Sequence, residues 1–261
     1  MALALLCLLL CTAVRADAGE PQQRFEHRRW TLNDDSPSQI GALAQTRDGY
    51  LWLGTHDSLY RFDGLSFTRY RATDQQELGI VSSLLASDQG LWVGLRNGGV
   101  RLIDAEGEVA AAFDLGRGTV YALAQTADGQ LWAAANDGLL RFDGQSWQQL
   151  SSEAGFVGAN AYALLVDSNG RLWVADERRL YALEPGARML RDSGIAVRRP
   201  RQIVQAPDGA LWLAERDGES VLRLDSSTRQ AIRIEVGESV NALLFGQRGA
   251  LWLSTAGHGL L

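Results

Sequence analysis

The chain has 261 residues, of which 46% are hydrophobic and 21% charged, a composition typical of a globular protein and unlike that of a disordered one. All 25 of its positively charged residues are arginine, so the chain has no lysine for a P-loop, a Schiff base or a kinase phosphate contact. The net charge of −6, with both signs interspersed, excludes nucleic acid from the expected partners, because a phosphate backbone is repelled.

The N-terminal segment resembles a secretory signal. An apolar stretch from Ala2 to Val14 is followed by the small residues Ala16 and Ala18, which suit a signal peptidase site. The stretch is too short to span a bilayer, which takes about 20 apolar residues. We therefore expect residues 1–18 to be a signal peptide, with a buried N-terminal helix as the alternative.

A repeat of about forty residues occupies the rest of the chain. The pair Leu-Trp occurs six times, at spacings of 40, 40, 41, 39 and 40 residues, and a glycine stands two or three residues before each tryptophan. Three of these glycines belong to Asp-Gly pairs, which predict type I′ hairpin turns. The tryptophans are Trp52, Trp92, Trp132, Trp173, Trp212 and Trp252.

Apolar and polar residues alternate on both sides of each turn, as they do in β-strands. A third and a fourth strand follow, and the fourth carries Phe67 in the first repeat and Trp147 in the third. Four short antiparallel strands in about forty residues are typical of a β-propeller blade. We predict an all-β propeller of four-stranded antiparallel blades over residues 19–261, with about six blades visible and helix nearly absent. The innermost strands are predicted near residues 40–46, 81–86, 120–126, 161–166, 202–206 and 240–245.

The two ends of the repeat region indicate an incomplete ring. The segment Phe25–Trp30 resembles Phe67–Tyr70, so we expect it to be a displaced outer strand that pairs with the last blade. The segment Gly259–Leu261 resembles the start of a third strand, which leaves the last blade truncated. We therefore expect the chain to be a fragment of a longer protein, with the total blade number open.

The first repeat resembles a known family. It reads Ala-Leu-Ala-Gln-Thr-Arg-Asp-Gly-Tyr-Leu-Trp-Leu-Gly-Thr, followed by Leu-Tyr-Arg-Phe-Asp-Gly, and is similar to the two-component regulator propeller repeat; the third repeat matches almost as well. The resemblance implies a periplasmic sensor domain of bacterial hybrid histidine kinases and diguanylate cyclases, with a membrane span and an output domain beyond Leu261. A homodimer of the full-length protein is a further expectation.

Polar loops between the second and third strands are the candidate binding site. In propellers this loop and the connection between blades emerge on one face around the central channel. We expect a small polar ligand there, such as an oligosaccharide or an organic acid, with a solvated rim that binds nothing as the alternative. The candidate residues are His56, Asp57, Arg96, Asn97, Asn136, Asp137, Glu177, Arg178, Glu215 and Arg216.

Catalytic chemistry has little support in the sequence. The three histidines, His27, His56 and His258, are scattered, and both cysteines, Cys7 and Cys11, lie in the predicted signal peptide. We therefore predict no catalytic residue, metal site or cofactor in this chain. A secreted propeller enzyme of lyase or lactonase type and a protein-binding scaffold are the alternatives.

Overall fold

The computed structural model describes residues 30–31, 34–72, 78–116, 118–216, 218–225, 227–246 and 249–261. The predicted signal peptide, residues 1–18, and residues 25–29 of the predicted outer strand lie outside this part of the chain. Helix in the described residues is limited to short 3₁₀ segments such as Ser152–Ala154.

Antiparallel strands make up the remaining architecture. Five four-stranded sheets, β1–β4, β5–β8, β9–β12, β13–β16 and β17–β20, are followed by the hairpin β21–β22. The strands are β1 Ile40–Gln45, β2 Leu51–Thr55, β3 Leu59–Phe62, β4 Phe67–Arg69, β5 Val81–Ser87, β6 Gly90–Leu95, β7 Gly99–Ile103, β8 Val109–Asp114, β9 Val120–Gln125, β10 Leu131–Ala135, β11 Gly138–Phe142, β12 Trp147–Gln149, β13 Ala163–Val166, β14 Leu172–Ala175, β15 Arg179–Leu183, β16 Arg191–Ala196, β17 Pro200–Gln205, β18 Leu211–Glu215, β19 Ser220–Leu224, β20 Ala231–Glu235, β21 Val240–Phe245 and β22 Leu251–Thr255.

These sheets are the blades of a propeller, as predicted. The first strand of each sheet contacts the first strand of the next, in chain order from β1 to β21, so these strands are innermost. Five blades are complete, and the sixth consists of its first two strands and the start of a third. Leu253 and Leu261 exchange two backbone hydrogen bonds, so the chain begins to pair beside β22 at the place where the sequence predicts the start of a third strand.

The Asp-Gly turns differ from the prediction. A type I′ turn needs positive φ at both central residues, but at Asp48-Gly49 only the glycine has it, with φ of 90°. The Asp48 carboxylate instead accepts hydrogen bonds from the Thr46 hydroxyl and the Tyr50 backbone N–H. The side chain thereby stabilises a longer loop that needs one left-handed residue.

The core lies between blades, where five clusters of buried side chains join each blade to the next. Trp92, only 1% exposed, packs with Val120 and Leu131 of blade three. Gly94 allows the close approach, because a Cβ there would lie 2.9 Å from Val120 Cγ1. The repeated tryptophans therefore serve mainly as packing between blades.

The outer faces of the first and last blades are more open. On blade one, Ile40 and Leu43 are 45% and 58% exposed, whereas Val81, which corresponds to Ile40 in blade two, is 2% exposed. On blade six, Leu244 is 65% exposed on the face that would meet a further blade. No extended contact joins β1 to β21 in the described part of the chain.

Trp30 covers part of the open face of blade one. Its ring lies 5.2 Å from Phe62 and 6.1 Å from Phe67, edge to face in both cases. Phe113, on the outer strand of blade two, contacts Phe142 of blade three in the same manner at 5.1 Å. Trp30 thus has the position that an outer-strand aromatic of a preceding blade would have.

Replacing Trp132 by alanine should destabilise the protein by about 3–5 kcal/mol, the range for removing a buried large aromatic. Trp132 is 4% exposed and packs between blades three and four. Chemical denaturation measures the change. The control is Trp252→Ala at the same position of blade six. Because the Trp252 side chain is partly exposed, this substitution should lower the free energy of unfolding much less. Equal losses of stability in the two variants would show that packing between blades is not the cause.

The turns after the third strands of blades one, three and five supply a pH-dependent contribution to stability. The Ser227 hydroxyl and the N–H groups of Thr228 and Ser227 bind the Asp225 carboxylate and lower its pKa from 3.8 to about 2. A lowered native pKa stabilises the fold above the unfolded pKa, and this stabilisation is lost as the pH falls from about 4 to about 2. Carbon-detected NMR titration of Asp225 should give a midpoint near 2; a midpoint near 3.8 would contradict the turn geometry.

Candidate functional site

The loops between second and third strands lie on one face with the entries to the first strands, and we call this surface the loop face. The Arg96 N–H donates to the Ile80 carbonyl at 3.0 Å, and the Arg216 N–H donates to the Arg199 carbonyl at 3.1 Å. Each loop is thus bonded to the chain that enters the first strand of its own blade. The predicted arrangement of the two kinds of loop is therefore present.

In blade one, the two candidate residues interact mainly with their own blade. His56 Nδ1 lies 2.6 Å from the Gln39 Oε1 atom. The Asp57 carboxylate accepts from the Thr55 hydroxyl at 2.5 Å and lies 4.0 Å from the Arg69 guanidinium. These contacts stabilise the loop conformation and leave both side chains at the surface.

In blades two and three, the candidates divide into exposed and structural side chains. Arg96, Asn97 and Asp137 are exposed. The Asn136 Oδ1 atom accepts the Thr119 backbone N–H at 2.7 Å, so this side chain connects the loop to the first strand of its blade. Asn136 therefore has a structural contact that the sequence pattern does not reveal.

In blade four, Glu177 and Arg178 are exposed above a buried support. The Asp176 carboxylate accepts the N–H groups of Arg178 and Arg179 and the hydroxyl of Tyr181. Burial, together with this hydrogen bond, raises the pKa of Tyr181 to about 12. The loop that presents Glu177 and Arg178 is thus held by a buried carboxylate.

Glu215 does not fit its predicted role as a ligand contact. Its carboxylate is fully buried and accepts two hydrogen bonds from the Arg233 guanidinium, at 2.9 and 3.2 Å, and one from the Arg198 N–H at 2.9 Å. Arg233 also donates to the Ala196 carbonyl of blade four. Glu215 therefore stabilises the junction of blades four and five, because burial leaves no free acceptor for a ligand.

A β-bulge near the start of the first strand is a repeated feature of the loop face. The pairing register shifts in blades one, two, three, five and six, which leaves one extra residue there. Bulges redirect side chains and are common beside active sites. The extra residues, with the corresponding Tyr162 of blade four, are Gly41, Ser82, Tyr121, Arg201 and Asn241.

Two of these positions bring aromatic rings together beside arginines. The rings of Tyr121 and Tyr162, from adjacent blades, have centroids 5.1 Å apart. The Arg199 guanidinium lies 5.7 Å from the Tyr162 centroid, and Arg201 is close enough to Arg216 for the two positive charges to interact. We call Tyr121, Tyr162, Arg199, Arg201 and Arg216 the arginine–tyrosine cluster.

The cluster has an excess of positive charge. Arg199 forms an ion pair with Glu177 at 3.5 Å, but among the described residues no carboxylate pairs with Arg201 or Arg216. Partial burial and the neighbouring charge of Arg216 lower the pKa of Arg201, although an arginine remains protonated at neutral pH. An anionic group bound here would relieve the repulsion between the two guanidinium groups.

Sequence reasoning included Arg216 and missed the other four members of the cluster. The residues predicted from the sequence all belong to the loops between second and third strands. Tyr121, Tyr162 and Arg201 instead belong to the first strands or lie directly before them. The signal was available in the repeat, since one position of this strand carries Gly41, Ser82, Tyr121, Tyr162, Arg201 and Asn241 in the six blades. This position thus differs among the six blades, whereas the Leu-Trp pair of the next strand recurs in all of them.

No group of three histidine, cysteine, aspartate or glutamate side chains in the described part of the chain is arranged to hold a metal ion. His258 contacts Glu238 within blade six, and His56 contacts Gln39 in blade one.

Comparison with known proteins agrees with this architecture. A family model described as the two-component regulator propeller matches residues 34–57 and 155–178. Two segments of the chain therefore match the two-component regulator propeller repeat. They cover the first two strands of blade one and the corresponding strands of blade four, whereas the sequence pattern favoured blades one and three. The search of curated proteins finds no match.

Solved structures share the fold of these two-component regulator propeller repeats. The extracellular domain of a hybrid two-component system from B. thetaiotaomicron superposes with a TM-score of 0.72 at 15% identity, over 89% of this chain and 34% of that chain. Virginiamycin B lyase from Staphylococcus aureus superposes with a TM-score of 0.68 at 15% identity, over 84% of this chain and 78% of the lyase chain. The chain thus spans about a third of the first neighbour, and identities this low show the fold alone.

Removal of the buried carboxylate should test the junction beneath the cluster. We expect Glu215→Ala to destabilise the protein by about 3 kcal/mol, because it leaves the Arg233 guanidinium without its partner. Glu177→Ala is the control, since the Glu177 side chain is 52% exposed and should change stability by less than about 1 kcal/mol. Urea denaturation measures the stability of both variants. If Glu215→Ala leaves the stability unchanged, Glu215 becomes a candidate ligand contact again.

Proposed function

We propose that this chain is the exported, ligand-sensing propeller of a bacterial signal-transduction protein, and that the arginine–tyrosine cluster binds its ligand. Two observations support the proposal. Two segments of the chain match the two-component regulator propeller repeat. Its loop face also carries two neighbouring arginines, Arg201 and Arg216, that have no carboxylate partner in the described residues, and a pair of tilted tyrosine rings beside Arg199.

The chemistry of the cluster favours an anionic ligand with an extended surface. A guanidinium group binds a carboxylate through two parallel hydrogen bonds, and such charged bonds are stronger than neutral ones. Tyrosine rings provide flat apolar surfaces with a hydroxyl at the edge. An acidic oligosaccharide or an organic acid combines these properties. The cluster therefore narrows the proposed ligand from any small polar molecule to a negatively charged one.

The periplasm is the proposed location, with the signal peptide as the means of export. No helix in the described residues is long and apolar enough to cross a membrane. In this proposal the membrane span and the output domain, a histidine kinase or a diguanylate cyclase, belong to the full-length protein, where a homodimer can transmit the signal.

A propeller lyase is the alternative that the comparison with virginiamycin B lyase raises. The arrangement of the histidines does not favour it. His56 and His258 lie on the first and last blades, and their described partners are Gln39 and Glu238. Mass spectrometry of each bound ligand distinguishes the two functions, since a sensor releases its ligand unchanged.

Substitution of the cluster arginines tests the binding site. Oligogalacturonates and citrate serve as probes in isothermal titration calorimetry. Arg201→Ala and Arg216→Ala should each weaken binding by about 10- to 100-fold, the loss expected for one charged hydrogen-bonded contact. Arg47→Ala is the matched control, because Arg47 is an exposed arginine in the turn between β1 and β2, at the opposite end of the strands.

The variants also separate the cluster from the rest of the loop face. Binding that is lost in Arg96→Ala and retained in both cluster variants would place the site on the loops of blades two and three. Binding that no loop-face substitution changes would reject the proposal.

A further inference from the structure

A groove of about 530 Å³ lies between the outer parts of blades two and three. The end of β8 and the residues after it form one side, and the strands β11 and β12 form the other. None of the five members of the arginine–tyrosine cluster lines it. The groove is therefore separate from the cluster and has its own chemistry.

The apolar part of the groove is aromatic. Phe113 and Trp147 line it, and both pack against the buried Trp92 at centroid distances of 6.1 Å. Phe142 lies between them, 5.1 Å from Phe113 and 5.2 Å from Trp147. These contacts hold the lining rings in place, so the aromatic surface is formed before a ligand arrives.

Trp147 also contributes a polar group without a partner. Its indole Nε1 is shielded from solvent and has no acceptor among the described residues. Because the Trp147 ring lines the groove, its indole NMR signal reports on an occupant of the groove.

Two carboxylates line the groove near Gly116. Asp114 accepts the Gly116 N–H at 2.9 Å, and Asp137 Oδ2 lies 3.5 Å from the point where a Cβ on Gly116 would stand. Neither carboxylate forms an ion pair with any residue in the described ranges. Two negative charges beside aromatic rings favour a cation.

We infer that the groove between blades two and three binds a small organic cation, an ammonium or guanidinium group on an apolar or aromatic stem. The carboxylates of Asp114 and Asp137 neutralise the charged group. The rings of Phe113 and Trp147 bind the stem and add cation–π attraction. This site is independent of the proposed function, because the arginine–tyrosine cluster selects the opposite charge.

Phenethylamine and its neutral counterpart 2-phenylethanol test the inference. Titration calorimetry should show phenethylamine binding at least about tenfold more tightly than 2-phenylethanol, the difference expected for one charged hydrogen bond. In ¹⁵N NMR spectra phenethylamine should shift the Trp147 indole signal, which is assigned by its absence in Trp147→Phe. Equal binding of the two compounds, or no shift of this signal, would overturn the inference.

Isosteric variants test the carboxylates. Asp114→Asn with Asp137→Asn keeps the shape of the groove and should weaken phenethylamine binding at least about tenfold. Asp57→Asn is the matched control, because Asp57 corresponds in blade one to Asp137 in blade three and lies outside the groove. This variant should bind phenethylamine with unchanged affinity. Unchanged affinity in the double variant would exclude the carboxylates as the cation site. Thermal denaturation of each variant verifies that the fold is retained.

Discussion

Packing between neighbouring blades is the interaction on which the rest of this structure depends. A four-stranded sheet exposes two faces, and each face must be covered by another layer to remove its apolar surface from water. Trp92 and Gly94 show how the sequence achieves this: the large ring fills the space between blades, and the missing side chain lets Val120 approach. The exposure of Leu43 and Leu244 at the two ends marks where this packing is incomplete.

The same junctions position the loop face. The buried Glu215 pairs with the partly exposed Arg233 where blades four and five meet, beside the backbone that leads into Arg216 and Arg199. Asp176 has a similar function below Glu177 and Arg178. Buried carboxylates whose two oxygens both accept hydrogen bonds hold the surrounding backbone in place, since breaking these bonds would leave a buried charge poorly compensated. The exposed arginines are therefore presented from a rigid support, which favours selective binding over loose electrostatic attraction.

The two candidate sites differ because they use different parts of a blade. The arginine–tyrosine cluster uses the bulge position of the innermost strands, where side chains from three blades converge. The groove is lined by the outermost strands β8 and β12 together with β11 and the loop residue Asp137. The same repeat thus carries a proposed anionic-ligand site on its innermost strands and a proposed cation site farther out. The ligand classes proposed for the two sites are opposite in charge.

The sequence by itself determined the fold, because the evidence for a propeller is local. The Leu-Trp spacing, the turn glycines and the alternation within each strand predicted all six innermost strands to within a few residues. The sites depended on the tertiary structure. Glu215 looks like a loop carboxylate in the sequence, but packing against blade four buries it and pairs it with Arg233. Tyr121 and Tyr162 are 41 residues apart in the sequence, and Asp114 and Trp147 belong to different blades. Their proximity follows from the rotation of one blade relative to the next, which no local pattern encodes.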